Sequence, residues 1–320
     1  MKILPRLVIG SLQPRYPIIQ GGMAVKVSTG RLAGSVAREG GIGLIAGSGM
    51  TDEELRTEIR VARSIADGGI VGVNTLVAAS RFIGVMKTAV DEGIDLLVAG
   101  AGFSRDLLAL GRSAGVPVVP IVSSAKLAIM AESLGASAVI VEGREAGGHI
   151  GTTKSSRVLF PLVKEAVKIP VIIAGGIADR ADLMEVLKFN IDGVQVGTRF
   201  AASVECNAAL AFKQRYLQAK EGDVIKIHSP VGLPGNALMT PFYQRVSRGE
   251  VGVDHCDGCL KRCSHSFCIV EALLQAKEGN LDKGLVFAGE HVYKIKEILT
   301  VKEIFHLFFD GLEPRDETHA

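Results

Sequence analysis

Eight short apolar runs rich in β-branched residues, each followed by a helix-like stretch, fill the first 200 residues of this chain. The runs cover 17–20, 43–46, 71–74, 96–99, 116–122, 138–142, 171–174 and 193–196. Between the second and third, Thr51 can cap a helix while Glu54 reaches back to it, and Leu55, Ile59, Ala62 and Ile65 follow at helical spacing. The stretches 80–92, 105–114, 124–134, 155–167 and 180–189 repeat the theme, most of them followed by Gly or Pro. Eight βα units in about 200 residues fit an α/β fold of the TIM-barrel type, a (β/α)8 barrel. A doubly wound open sheet is the other arrangement for repeated βαβ units. The count of eight and the lack of an early G-x-G-x-x-G favour the barrel. The 48% hydrophobic content and mean hydropathy of +0.31 suit a parallel sheet covered by helices on both faces.

Three glycine turns close the later strand candidates. They are Glu142-Gly143-Arg144-Glu145-Ala146-Gly147-Gly148-His149, Ala174-Gly175-Gly176-Ile177 and Gln195-Val196-Gly197-Thr198-Arg199. Glycine at a strand end lets backbone N–H groups approach a phosphate closely. Barrels commonly hold phosphate after the seventh and eighth strands, which makes Gly175, Gly176, Gly197 and Thr198 the candidate contacts. The first turn sets one imidazole, His149, beside that site. A phosphorylated cofactor next to a single histidine points to an enzyme. His228, His255, His265, His291, His306 and His319 have no comparable context, and most read as surface or packing residues.

Charge excludes other classes. Lys and Arg number 36 against 34 Asp and Glu, a net charge of +2 with no long basic block. With no Trp and 5% aromatic residues, neither nucleic acid nor an anionic membrane is the expected partner. The first 17 residues are broken by Pro5 and Pro14 and lack a continuous apolar signal core, and no run is long enough to span a bilayer. A cytoplasmic location is the expectation.

Beyond residue 199 the pattern changes. Residues 205–220 read as one long helix, 222–254 as irregular chain, 269–276 as a helix and 301–309 as an amphipathic helix. The expected division is a barrel formed by 1–200 and 291–320, with 201–290 inserted as a cap over its mouth. The apolar run 304–309 is expected to pack on its own barrel, a homodimer contact being the other use of that face. Within the cap, Cys256-x2-Cys259-x3-Cys263-x4-Cys268 crowds four of the five cysteines into 13 residues. In a reducing compartment such crowding favours a metal over disulfides. A [4Fe–4S] cluster on four thiolates, a structural zinc held by all four thiolates or with His255 or His265 in place of one, and four free thiols are the three readings. Metal is preferred to none, and iron–sulfur to zinc. Cys206, alone, reads as a buried thiol.

Six motifs in order resemble the nitronate monooxygenase family, once called 2-nitropropane dioxygenases, which includes FMN-dependent enoyl-acyl carrier protein reductases. They are Pro17-Ile18-Ile19-Gln20-Gly21-Gly22-Met23-Ala24, Gly40-Gly41-Ile42-Gly43, Gly72-Val73-Asn74, Glu145-Ala146-Gly147-Gly148-His149, Ala174-Gly175-Gly176-Ile177 and Gln195-Val196-Gly197-Thr198-Arg199-Phe200. The resemblance implies a barrel that binds FMN noncovalently. Gly22, Met23 and Ala24 would lie along the flavin ring, Asn74 and Glu142 would hydrogen-bond the flavin or its ribityl chain, and Gly147 and Gly148 would line it. His149 would handle the proton or bind substrate. The start of the cysteine motif resembles the cluster loop of flavin-containing dienoyl-CoA reductases, although there the fourth cysteine is more distant.

The resemblance implies two functions. One is FMN-dependent reduction of a conjugated enoyl-type thioester or similar small substrate. Its electrons would come from NAD(P)H, or from a [4Fe–4S] cluster fed by an electron-transfer protein. The other is nitronate monooxygenase activity, oxidising alkyl nitronates with O2. The glycine motifs look closer to the enoyl reductases.

Overall fold

The structure, a computed structural model, describes residues 2–314. Its centre is a closed barrel of eight parallel strands in chain order. These are β1 (Ile18–Gln20), β2 (Ile42–Ala46), β3 (Ile70–Leu76), β4 (Leu96–Gly100), β5 (Val118–Val122), β6 (Val139–Glu142), β7 (Val171–Ala174) and β8 (Gly193–Val196). Closure is made by β8 against β1, with Val194 opposite Ile18 and Val196 opposite Gln20. The alternation of side chains along a strand sorts the residues. Ile19, Ile42, Leu44, Leu96, Val98, Val119, Ile140 and Ile172 fill the barrel with Leu7 and Ile9. Their neighbours Ile18, Ile45, Val71, Val73, Leu97, Val139 and Ile173 pack outward under the helices. Burial on both faces is why the runs read as continuous apolar segments.

The outer ring comprises α1 (Gly30–Arg38), α2 (Asp52–Ala66), α3 (Phe82–Asp91), α4 (Arg105–Ala114), α5 (Ala125–Ser133), α6 (Ser156–Ala166), α7 (Arg180–Val186) and the single turn α8 (Thr198–Ala201). The capping box read from Thr51 and Glu54 is formed at the start of α2. Ser104, Ser124, Ser155 and Asp179 cap four more helices through their side chains.

Two readings of the later chain are corrected. The long helix over 205–220 is only α9 (Leu210–Leu217). The preceding residues spend their polar groups on the barrel: Asn207 N–H bonds Val27 O, and the Glu205 carboxylate accepts from Val301 N–H. The stretch 222–254 is ordered as a hairpin, β9 (Val224–His228) with β10 (Pro234–Leu238), followed by α10 (Pro241–Ser247). Pro234 and Gly235 masked the second strand. Val286–Phe287 pairs with β10 on one side, and Gly148–His149 from the barrel pairs with it at Gly235 and Asn236. The hairpin thus joins the histidine loop to one small sheet. Ile227, Phe242, Tyr243, Phe267, Ile269 and Leu285 form a separate apolar cluster beneath it, to which α11 (Ile269–Lys277) contributes.

The last helix, α12 (Val301–Phe309), is opened by a second capping box, from Thr300 and Glu303. Val301, Ile304, Phe305, Phe308 and Phe309 are buried on their own chain, as expected for that apolar run. Part of the 291–320 segment lies outside the described residues.

Candidate active site

The C-terminal ends of the barrel strands open into a cavity of about 300 Å³. Gly22, Met23, Ala24, Asn74, Glu142, Gly147, Gly148, His149, Gly175, Gly176, Gly197 and Thr198 all line it. These positions come from five separate strand ends, and closure of the barrel is what brings them together. The opposite wall is apolar and comes from the chain beyond the eighth barrel strand: Val231, Leu260, Ile269, Val270, Leu273 and Phe287.

Local packing explains the glycines that matter most. A Cβ on Gly22 would stand 2.4 Å from Asn74 Cβ, so the loop after β1 can lie against β3 only without a side chain. Gly175 and Gly176 take φ of +100° and +66°, the left-handed region that glycine tolerates. Arg157 of α6 locks that turn, its guanidinium donating to Gly175 O and Gly176 O at 2.8 Å each. Because a trans peptide sets its N–H opposite its C=O, the N–H groups of Gly176 and Ile177 face away from Arg157.

His149 is held on three sides. Its backbone pairs with Gly235, its ring meets Phe287 edge-on at 5.1 Å, and Nε2 lies 2.7 Å from Ser229 Oγ. Burial disfavours the charged ring and lowers its pKa to about 4, so the imidazole is neutral at pH 7. Burial acts oppositely on Glu142, raising its pKa to about 8, so the carboxyl carries its proton at pH 7. Both residues are therefore uncharged at pH 7 where they line the cavity. Glu145, beside the histidine loop, is buried and accepts from Ser156 N–H, tying that loop to the start of α6.

The lining suits a flavin phosphate ester. Gln195 Oε1 is buried without a hydrogen-bond partner, although Gln195 lines the cavity. An acceptor left alone there matches a ligand that brings an N–H or O–H. The glycine turn after β7 has the backbone freedom that phosphate cradles need.

Sequence reasoning did not find Ser229, Gln195, Phe287 or His291. Gln195 lies on β8 two residues before Gly197, inside a motif already singled out, whereas tertiary pairing alone brings the other three to the cavity. His291 is a correction to the surface reading: it lines the cavity and bonds Asp182 at 3.0 Å.

The cysteine loop is not brought to a ligand geometry. Among the described residues no three His, Cys, Asp or Glu side chains form a group that could hold a metal ion. The thiols are near one another nonetheless. Burial raises the Cys259 pKa, and the Cys268, Cys263 and Cys256 thiols raise it further. Cys256 Sγ lies 3.7 Å from His265 Nε2, and His265 N–H points to Cys263 Sγ at 3.4 Å. Of the four, Cys259 lines the cavity. No step is routed through a metal here.

Fold and site together define a (β/α)8 barrel with one lined cavity at the C-terminal ends of its strands. The chain belongs to the nitronate monooxygenase family, whose model matches residues 6–92 and 71–309. It is 32% identical over 238 residues to a (3aS,4S,5R,7aS)-5-hydroxy-7a-methyl-1-oxo-octahydro-1H-indene-4-carboxyl-CoA dehydrogenase of Mycobacterium tuberculosis, covering 73% of this chain and 66% of the relative. The chain therefore spans just under two thirds of that relative's length, and 63% of a Rhodococcus jostii enzyme of the same name. Among solved structures it is similar to FabK from Thermotoga maritima, with 33% identity, a TM-score of 0.83 and 92% of each chain covered. A nitroalkane oxidase from Streptomyces ansochromogenes shares the fold at 24% identity and a TM-score of 0.77, covering 92% of this chain and 94% of that one. No helix among the described residues is long and apolar enough to cross a membrane.

Proposed function

We propose that this protein is an FMN-dependent oxidoreductase that reduces a conjugated enoyl-type thioester with electrons from NAD(P)H. The observation that carries the reading is the convergence of three glycine turns, Asn74, Glu142 and His149 on one cavity walled on its far side by apolar residues. The relatedness to a carboxyl-CoA dehydrogenase supports a thioester as the substrate class.

FMN, when bound, supplies hydride transfer between a nicotinamide and the β-carbon of the substrate. The chain's residues do the rest. Gly175, Gly176, Gly197 and Thr198 hold the phosphate. Gly22, Met23 and Ala24 would lie along the ring, and Gly147 and Gly148 would line it. Glu142, protonated at pH 7, donates a hydrogen bond, while Asn74 and the unpaired Gln195 Oε1 accept or donate at the polar edge. Val231, Leu260, Leu273 and Phe287 exclude water and receive the acyl chain. A bound water, or His149 relaying a proton from that water so that the ring stays neutral overall, would protonate the α-carbon, with Ser229 fixing the orientation of the ring.

One observation favours the second reading, nitronate oxidation. The family match is that observation: in this reading the neutral His149 would orient an alkyl nitronate, which is already deprotonated at carbon, while the flavin oxidises it with O2. The deciding experiment is anaerobic. Bound flavin is mixed without oxygen with NADH or NADPH and then with an enoyl thioester, and in a parallel arm with an alkyl nitronate, O2 being admitted only after flavin reduction has been scored. Reduction by a nitronate but not by a nicotinamide sinks the first reading.

We also propose residues 201–290 as the cap of the barrel, and Cys256, Cys259, Cys263 and Cys268 as ligands of a [4Fe–4S] cluster, with zinc the alternative. The mutual influence of the thiols on Cys259 supports the cysteine reading. Iron, sulfide and zinc assays on anaerobically purified protein test it.

A further inference from the structure

The cavity has a second histidine whose chemistry the flavin reading leaves unused. His291 sits in a 3-10 turn, Glu290–Lys294, that folds back over the barrel mouth. Gly289 N–H donates to Thr198 Oγ1 at 3.1 Å, and Glu290 N–H donates to Glu145 O at 2.9 Å. These two bonds pin the turn to the ends of β8 and of the histidine loop. The His291 ring then stands over the glycine turn after β7. A Cβ built on Gly176 would lie 3.4 Å from His291 Cε1, so the ring edge and the glycine backbone share one surface of the cavity.

The ring is oriented from behind. Nδ1 lies 3.0 Å from Asp182 Oδ1, and Asp182 is 2% exposed. That carboxylate also receives Lys294 Nζ at 2.5 Å and Ala178 N–H at 2.9 Å. Burial alone would raise its pKa, but the hydrogen bonds from His291, Lys294 and Ala178 outweigh burial and hold it well below the usual carboxylate range. Asp182 is therefore a fixed anion that accepts from Nδ1, and Nε2 is the ring nitrogen left for the cavity. The other charges packed around the cluster are Asp179, 3.7 Å from Lys294 Nζ, and Arg157, which is committed to the Gly175 and Gly176 carbonyls and to Glu185. Glu145 also borders this side, its Cβ 3.2 Å from the same built position on Gly176, and among the described residues that line the cavity there is no lysine or arginine.

We propose that His291, positioned by Asp182, is the side-chain ligand of a phosphate monoester dianion seated on the Gly175–Gly176 turn. This inference rests on the flavin reading and adds the one charged contact that the glycine backbone lacks. In that arrangement the ring bridges the Asp182 carboxylate, on Nδ1, and the phosphate, on Nε2. No bond to carbon or phosphorus is made or broken.

The test separates the phosphate from the rest of the flavin. Apoprotein is titrated with FMN and with riboflavin by fluorescence quenching, for the wild type, H291A, H291N and D182N. The expected result is an FMN Kd raised by roughly ten-fold or more in H291A and H291N, the scale of one lost hydrogen bond to a charged group. D182N should show a smaller rise, and riboflavin Kd should stay within about two-fold of wild type throughout, which also reports that each variant is folded. Inorganic phosphate should weaken FMN binding in the wild type and lose that effect in H291A. Equal losses for both flavins, or an FMN Kd unchanged in both His291 variants, overturn the assignment. Wild-type protein that binds neither flavin overturns the flavin reading itself and takes this inference with it.

Discussion

His149 Nε2 and Ser229 Oγ stand 2.7 Å apart, although 80 residues separate them in the chain. The hydroxyl belongs to the hairpin turn of the cap sheet, where it also accepts from Val231 N–H at 3.3 Å. The proposed catalytic imidazole is thus oriented by the segment that closes the pocket. Removing the hydroxyl leaves Nε2 without a partner in a dry site, at a cost of about 1–3 kcal/mol. S229A should lower kcat by about ten-fold with little change in KM, and S229T, which keeps the hydroxyl, should recover most of it. Steady-state kinetics across pH checks this. A KM increase with kcat unchanged would show that Ser229 merely shapes the pocket.

Glu142 and His149 give the apoprotein a particular stability profile. The folded pKa of Glu142 is about 8 against 4.5 for the unfolded group, so the native state binds the extra proton and stability falls as pH rises from 4.5 to 8. The folded pKa of His149 is about 4 against 6.5, so the unfolded state binds the extra proton and stability rises with pH up to about 6.5. Between pH 4.5 and 6.5 the two slopes oppose each other. Above 6.5 the Glu142 slope acts alone. Urea denaturation should therefore show E142Q gaining on the wild type as pH is raised from 6.5 to 8. A wild-type-minus-E142Q difference that is flat across that window would mean that Glu142 is already ionised.

The contact between Gly22 and Asn74 yields a steric prediction. G22A puts a methyl 2.4 Å from Asn74 Cβ, and the loop after β1 has to move. FMN affinity should fall at least ten-fold, a cost on the scale of overpacking, with the barrel still folded by circular dichroism. Trimming the partner in G22A/N74G should recover part of the loss despite removing the amide. No recovery would place the defect elsewhere than in this contact.

The barrel was legible because its strands are buried on both faces and α2, α4, α5, α6 and α7 are capped by local side chains. Thr51 with Glu54, and the apolar runs on either side, carry their signals within a few residues. The glycine turns and His149 were legible for the same reason, as short motifs at strand ends. The hairpin was not, because Pro234 and Gly235 open β10 and read as loop. Nor could the chain announce that Glu205 and Asn207 would bond to Val301 and Val27 in place of extending a helix. Ser229 and His291 were missed for one shared cause. Their partners, His149 and Asp182, lie 80 and 109 residues away, and neither pairing has a local pattern.

The five cysteines should separate by reactivity. Cys256 is exposed, Cys259, Cys263 and Cys268 are half-buried, and Cys206 is buried. Burial raises the Cys206 pKa to about 11, which leaves almost no thiolate at pH 8. Cys259 is also held above the usual thiol range, by burial and by its three neighbours. In metal-free native protein an aromatic disulfide reagent should consume Cys256 first and Cys259 more slowly, with Cys206 reacting only after denaturation. Protein that has bound iron–sulfur or zinc at the four cysteines should protect all four together, because each thiolate is then a ligand. A chelator or oxidant should release them as a set. Mapping the modified residues by peptide mass spectrometry tests the proposal. If the four still react one by one after iron and sulfide reconstitution, or after zinc loading, this loop carries no metal and the cap folds without one.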